Sequence, residues 1–463
     1  MYYYFSIYFK YFVFLLLIIL SYHYIGYPLL LEYTSLSVDV VHGLPYGAVS
    51  GDYQKYYQIA IRLLEKPLDI NEAIGALSNS NKVAPLILSY VIRLTSCYDS
   101  LLCYNLLVTL PISAFIAFQL HAIARRFNIG ETKSFFLVCV VLLSPFSLLA
   151  LTQVSKDLYS HLFYAVSIRT LFSIYDKNFH YSSALSLVLG SIPILFIRPF
   201  QVVLSLFVWF ILTALLILRE RKLGDVIRPG LIIVFLSTIY LLHSQFIRVQ
   251  VGDVLDNISV LPRSILLIPA LPASDAPNSK PSSVDSKPSS VDSKPSSVDS
   301  SSLSVGLVPD AINEKISYIL HQVNGYRKYY ISMNPDSPMV VNGYVFDSLV
   351  DLIYYLPKSF SMVILEPHPF RLLGAKSGHT QANLRLLYIP WAFFVSFLAL
   401  IVLYKINKSF SFDRVLLLAY TLATLMPYAY FIPNYGNVAR YSSFLVPFLF
   451  LILIFSKASV KSK

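Results

Sequence analysis

The sequence predicts an all-α integral membrane protein of about ten transmembrane helices, with two long extracytoplasmic segments that contain interfacial helices. Three observations predict it. Hydrophobic residues make up 56% of the 463 residues and charged residues only 13%, roughly half the ~25% charged share of a soluble domain. Apolar runs close to the ~20 residues needed to cross a bilayer recur along the chain, and mean hydropathy is +0.62. Basic residues cluster in short turns beside those runs, which is how a bilayer protein sets its orientation. This composition excludes a soluble enzyme, a disordered chain and a nucleic-acid binder, and topology accounts for the net charge of +11.

Each element follows in order. Residues 1–31 hold the first span, Tyr11–Leu31. It is long enough to cross and no Ala-x-Ala site follows, so it is expected to remain as a helix and not be cleaved as a signal. Residues 32–100 form a first outside loop. In it Tyr56, Ile59, Ala60, Leu63 and Leu64 recur at helical spacing, with Lys55, Arg62 and Glu65 off that face, which predicts an amphipathic helix on the membrane surface. Val83–Leu94 is apolar but too short to span, and reads as a second interfacial helix.

Residues 101–243 supply spans two to seven: Leu101–Leu120, Phe135–Leu151, Leu158–Ile174, Ser182–Ile197, Phe200–Leu218 and Leu231–His243 with its flanks. Residues 244–385 form the second outside segment. Ser-Lys-Pro-Ser-Ser-Val-Asp repeats there three times over residues 279–299. The seven-residue period is no coiled coil, because each unit has one apolar residue and a proline, and it reads as a solvated tether. Val345–Leu365 is apolar again, broken by Pro357, and is expected to form helices on the outer bilayer face. Residues 386–463 give Leu386–Tyr404, Val415–Ile432, Ser442–Phe455 and a basic tail. With the N-terminus in the cytoplasm, alternation brings Arg125 and Arg126, Lys177, Arg219 to Arg228, Lys405 to Arg414 and Lys457 to Lys463 inside. Both termini are then cytoplasmic.

Cysteine is uninformative by count. Cys139 lies in an apolar run, and Cys97 and Cys103 could bridge if both face an oxidising compartment.

The candidate chemistry sits at the outer rim. Asp52 opens the amphipathic helix; it reads as an N-cap, as a general base at the membrane face, or as both. Tyr56 lies one turn on. Lys156-Asp157 stands where the third span ends and the fourth begins, again cap or functional acid, and His161 shares a helix face with Asp157. Arg198, before Pro199, and Arg440, before Tyr441, fall in short outside turns, the placement the positive-inside rule disfavours. They read either as snorkelling residues or as phosphate ligands, for which a planar guanidinium is suited. Arg169, deep in the fourth span, reads as structural. Arg327, Lys328, His368, Arg371 and His379 lie in the second outside segment and could line an acceptor groove. There is no Walker loop, no dinucleotide fingerprint, no His-Glu-x-x-His and no Cys/His metal spacing. Without a soluble nucleotide domain, a sugar donor is more plausibly lipid-linked than nucleotide-linked.

Gly51-Asp52-Tyr-x-x-Tyr56-Tyr57-x-x-Ala60, the proline-led Lys82-Val-Ala-Pro85-Leu-Ile-Leu and Ser155-Lys156-Asp157 together resemble, in order and sidedness over about the first 200 residues, the GT-C class of polytopic glycosyltransferases. Ile197-Arg198-Pro199-Phe200, Tyr355-Leu-Pro357 followed by Glu366-Pro-His368-Pro-Phe, and Asn437-Val-Ala-Arg440-Tyr441 are similar to steps in bacterial surface-polysaccharide membrane proteins, family-39-like glycosyltransferases or repeat-unit polymerases. The resemblance implies Asp52 as catalytic base, Asp157 as second acid, and Arg198, Arg440 and Lys156 at the donor phosphate. Tyr56, His161, Arg327, His368 and Tyr441 would line a donor or acceptor groove. The first loop lacks an Asp-x-Asp or Asp-Glu pair, which leaves a divalent metal ion open; no other cofactor is implied.

The expected activity is transfer of a sugar or oligosaccharide from a polyprenyl-phosphate-linked donor to a saccharide acceptor, in surface-polysaccharide synthesis. The expected place is the outer face of a bacterial cytoplasmic membrane, in contact with the lipid bilayer and with polysaccharide-assembly proteins, without nucleic acid. Repeat-unit polymerisation is the alternative within the same chemistry. A lipid-linked oligosaccharide transporter is the rival outside it, disfavoured by the absence of repeated halves.

Overall fold

The computed structural model describes residues 2–29, 51–64, 83–95, 100–176, 181–197, 345–366, 385–406, 411–432 and 435–456, with scattered helical positions at 208, 211 and between 317 and 331. The side chains of some helix-end residues, Asp52 among them, lie outside the described part. The described chain is all-helical, without strands. In order it forms α1 (Tyr2–Ser21), α2 (Gly51–Leu64), α3 (Val83–Thr95), α4 (Ser100–Tyr104), α5 (Leu110–Arg126), α6 (Glu131–Leu142), α7 (Pro145–Thr152), α8 (Asp157–Tyr175) and α9 (Tyr181–Ile197). Then follow α10 (Leu349–Leu365), α11 (Arg385–Ile406), α12 (Phe412–Phe431) and α13 (Tyr435–Phe455).

Among the described residues four helical stretches are long and apolar enough to cross a membrane: Tyr2–Leu29, Leu101–Arg126, Tyr388–Lys405 and Phe412–Phe431. A fifth crossing is available if α6 and α7 count as one broken span, bent by 77°. Ser144 and Pro145 make that break. Ser144 caps α7 by accepting the Ser147 amide at 3.3 Å, and Pro145 at the first helical position donates no amide to α6. Of the other expected spans, Leu158–Ile174, Ser182–Ile197 and Ser442–Phe455 are helical as α8, α9 and the second half of α13 but fall short of that measure. Phe200–Leu218, Leu231–His243 and the Ser-Lys-Pro-Ser-Ser-Val-Asp repeats lie outside the described residues.

The centre of the bundle is α8. Fifteen of its 19 residues are buried, polar ones such as Asp157, Ser160, His161, Ser167 and Thr170 among them, so the helix is enclosed by protein. It touches α5, α7, α9 and α13. α10, α11 and α12 gather around α13, which carries that group onto α6, α7 and α8.

Beside this bundle α2 and α3 form a smaller core. Tyr56, Ala60 and Leu64 of α2 pack with Ala84, Leu88, Val91 and Ile92 of α3 and with Leu101, Tyr104 and Val154. The apolar face read from the sequence is thus covered by α3. Arg93 ties the pair together by donating from Nη2 to the carbonyls of Leu63 at 2.7 Å and Leu64 at 3.4 Å, which satisfies acceptors that every helix C-terminus leaves unpaired. Next to them, the π-turn Asn105–Thr109 turns Asn105 to donate to the Thr152 carbonyl at 2.9 Å, the last residue of α7. Cys103 is disulfide-bonded, and the chain's one remaining cysteine besides the free, buried Cys139 is Cys97, outside the described residues.

The two ends of the bundle differ in chemistry. At one end Arg126, closing α5, bonds both Asp176 oxygens at 2.5 and 2.7 Å and reaches Asp413 at 3.3 Å. Its guanidinium lies 4.3 Å from the Phe172 ring. Lys405 and Arg414 donate to the carbonyls of Ile454 and Ser456 at 2.8 and 2.9 Å. These basic residues were all assigned to one side by the alternation of spans, and the fold gathers them at one end. Asp157 begins α8 at the opposite end, about 28 Å away for a 19-residue helix.

α10 is a single helix that runs through Pro357 and is apolar on its exposed side as well as its buried one. Tyr355, Met362 and Val363 face the core, and Val350, Ile353, Tyr354 and Phe360 are exposed. A capping box starts it: Ser348 and Asp351 exchange side-chain-to-backbone bonds. The Ser348 hydroxyl at 3.0 Å, with the amides of Ser348 and Asp347 at 2.8 and 2.9 Å, holds the Asp351 carboxyl below the usual carboxylate range. A depressed native pKa contributes stability that is present above the unfolded pKa and is lost as pH falls through the native one. Amide exchange at Val350–Leu352, corrected for its intrinsic rate, is therefore expected to speed up as pH drops below about 4, and Asp351→Asn should remove that dependence.

Candidate functional site

At the α8 end away from the basic cluster, the helix start is built by three consecutive residues. Ser155 accepts the Asp157 amide at 3.1 Å and donates to Asp157 Oδ2 at 3.3 Å. Lys156 occupies the N-cap position, and Asp157 is the first-turn acid of α8, where the helix dipole favours a negative charge. Asp157 Oδ2 is bonded by Nε of Arg440 on α13. Residues 283 positions apart thereby form an ion pair whose acid is 7% and whose arginine is 27% exposed. The arginine is the outward partner.

One turn further along, His161 of α8 stacks on Phe444 of α13, with ring centroids 4.2 Å apart and planes 10° from parallel. Both helices advance by four residues between the ion pair and the stack, so α8 and α13 run parallel and present matched rungs. Tyr441, next to Arg440, stacks on Tyr428 of α12 at 4.5 Å. The Tyr428 hydroxyl lies 3.4 Å from that of Tyr164. Tyr388 of α11 feels the charges of both Arg440 and Asp157 and packs its ring 4.7 Å from Phe146. Aromatic rings line the protein side of the charged pair, and Arg440 keeps its outer side open to solvent.

Lys156 joins the smaller core to this site. Its Nζ lies 5.7 Å from the centre of the Tyr56 ring, so the first half of α2 stands beside the start of α8. Asp52 is the second residue of α2, one turn before Tyr56. Of the residues read from the sequence, the fold thus brings together Lys156, Asp157, His161, Arg440, Tyr441 and Tyr56. Arg198 and His368 lie outside the described residues.

Arg327 is elsewhere. It is 1% exposed, and its Nη1 donates to the carbonyls of Tyr430 at 3.0 Å and Ala429 at 3.5 Å. Its guanidinium lies 4.9 Å from the Phe346 ring centre and 5.0 Å from that of Tyr355. The expected acceptor-groove residue closes the C-terminal end of α12 from inside the protein. Arg169, expected to be structural, donates to Gln119 Oε1 at 2.6 Å.

Sequence reasoning missed Phe444, Tyr428 and Tyr388. For Phe444 a signal existed: Arg440 and Phe444 share the four-residue spacing of Asp157 and His161. Tyr428 and Tyr388 carried none among 35 tyrosines. Among the described residues no three His, Cys, Asp or Glu side chains gather to hold a metal ion. Compared with protein-family models, with curated proteins and with solved structures, the chain matches none.

Proposed function

We propose that this chain is a polytopic membrane glycosyltransferase that takes a sugar or oligosaccharide from a polyprenyl-phosphate-linked donor. The observation that carries the reading is the Asp157–Arg440 pair at the rim of the bundle opposite the basic cluster, with α2 and its Asp52 alongside. If the basic end faces the cytoplasm, the pair faces the outer leaflet. The disulfide at Cys103, one residue before a tyrosine 3.3 Å from the Tyr159 hydroxyl near that rim, supports an oxidising compartment there. The ten-span threading with cytoplasmic termini belongs to the same proposal, as does surface-polysaccharide synthesis.

Glycosyl transfer from a phosphate donor needs a base for the acceptor hydroxyl and fixed positive charge for the departing phosphate. In this reading Asp52 takes the proton. Arg440, with Arg198 and Lys156, stabilises charge developing on the phosphate, and that stabilisation contributes most to the rate when such groups are fixed in place in a dry setting. Asp157 is the second acid, and His161, Tyr441 and Tyr56, whose ring faces the Lys156 ammonium, line the groove.

The test is transfer by the purified protein in vesicles that contain a short polyprenyl-phosphate-linked sugar as donor and a second lipid-linked saccharide as acceptor, with products read by mass. Transfer is expected from the wild-type chain and none from Asp52→Asn, with membrane insertion unchanged. Transfer at full rate by that variant rules Asp52 out as base. Movement of intact donor across the bilayer without transfer overturns the enzyme reading. A single added unit marks a transferase, and a ladder of repeat units on the lipid marks a polymerase.

A further inference from the structure

We propose that Asp157 occupies Arg440 as an internal stand-in for a ligand phosphate, and that a phosphate-bearing ligand binds by displacing this carboxylate from the guanidinium. Three features of the site lead to this. The pair is asymmetric: Arg440 reaches the surface, while Asp157 is almost fully covered behind it. An anion arriving from outside therefore meets the cation first. The contact is made through Nε of Arg440, and a guanidinium presents five N–H donors in a flat fork suited to phosphate oxygens. The carboxylate, for its part, has somewhere to stay. Ser155 donates to Asp157 Oδ2 and the α8 amino end lies beneath it, so the released acid retains a hydrogen bond and a favourable dipole.

The second charge near the exchange is Lys156, whose Nζ lies over the Tyr56 ring. It adds positive potential on the same side of the α8 start. His161 stacks flat on Phe444 one turn further along. An external phosphate thus exchanges one carboxylate for two or more anionic oxygens on the same guanidinium. The ion pair seen in the structure is then the resting, self-occupied state of the site. No bond other than hydrogen bonds changes in this step, and no proton needs to move.

The identity of the ligand's owner rests on the glycosyltransferase reading; the exchange of partners does not. A phosphomonoester or diphosphate is the shared chemistry, and it reaches the site either as a free anion or as a lipid headgroup. Two probes separate the sources: inorganic diphosphate in solution, and geranyl phosphate carried in neutral phosphatidylcholine vesicles, each titrated onto the full-length protein and read by calorimetry or by thermal shift. If Asp157 competes for Arg440, Asp157→Asn tightens binding of at least one probe by about tenfold, the order expected when a competing charge-assisted bond is removed. Arg440→Gln abolishes that binding.

Tightening with diphosphate only assigns the site to a soluble phosphate; tightening with geranyl phosphate only assigns it to a lipid headgroup. Binding that is unchanged or weaker in Asp157→Asn for both probes overturns the proposal, since a merely supporting acid would orient Arg440 and its loss would weaken binding. Should Asp157→Asn fail to reach the membrane, Asp157→Ser decides alone: tighter binding supports competition, and equal or weaker binding overturns it. A chain that transfers no sugar but binds more tightly without Asp157 refutes the glycosyltransferase reading and leaves the exchange standing. A chain that transfers sugar but binds no more tightly does the reverse.

Discussion

Asp157→Ala is expected to cost the folded protein about 3–5 kcal/mol, because it removes the almost fully covered member of an ion pair. The partner left behind is Arg440, enclosed by Tyr388, Tyr441 and the α8 start. Its 27% exposure allows some rehydration, which points to the lower end of that range. Unfolding of the purified protein in detergent, by denaturant or by heat, measures the loss. Asp157→Leu combined with Arg440→Leu should recover most of it, since two apolar groups of fitting volume replace a pair whose mutual attraction mainly offsets its desolvation. A single-variant loss under about 1 kcal/mol would mean that water already separates the two charges.

Arg327→Ala is expected to cost about 3 kcal/mol or more, through loss of a desolvated cation over two rings and of charge-assisted bonds to helix carbonyls. The change leaves the carbonyls of Ala429 and Tyr430 without this donor and opens space beside the touching rings of Phe346 and Tyr355. Arg327→Lys should restore less than half of the loss. A compact ammonium keeps the charge but has no flat face to lie against two rings and no fork to span two carbonyls. The effect should spread toward the site. Tyr430 bonds the Leu352 carbonyl at 2.9 Å, and Tyr428, one half-turn earlier, is the ring on which Tyr441 stacks. Faster amide exchange at Tyr430–Ile432 in the alanine variant, with less change in α1, would trace that route; uniform destabilisation would instead assign Arg327 to general packing.

Much of the site was legible along the chain because its charges stand in turns beside apolar runs, although each also had a structural reading as a helix cap or a snorkelling residue. Asp157 and Arg440 each stand in a turn between apolar runs, where the bilayer penalises charge and the positive-inside rule predicts no arginine. Helical spacing placed His161 on the face of Asp157, and the fold keeps it there. The amphipathic stretch of α2 was equally plain, since Tyr56, Ala60 and Leu64 recur every four residues. Its covering was not: Val83–Thr95 looks like a second surface helix until Arg93 is seen closing the end of α2. Arg327 illustrates the opposite limit. A charged residue in a long polar segment looks solvated, and only the convergence of Phe346, Tyr355 and the end of α12 makes its burial tolerable.

The helical, membrane-type character of the chain was determined by the sequence itself, because composition and the length of apolar runs depend on no distant contact. Which acid meets which arginine was decided by tertiary structure alone. Residues 157 and 440 lie far apart in sequence, and local rules act over one or two helical turns; only the parallel packing of α8 against α13 matches their rungs and turns two separate charges into one pair.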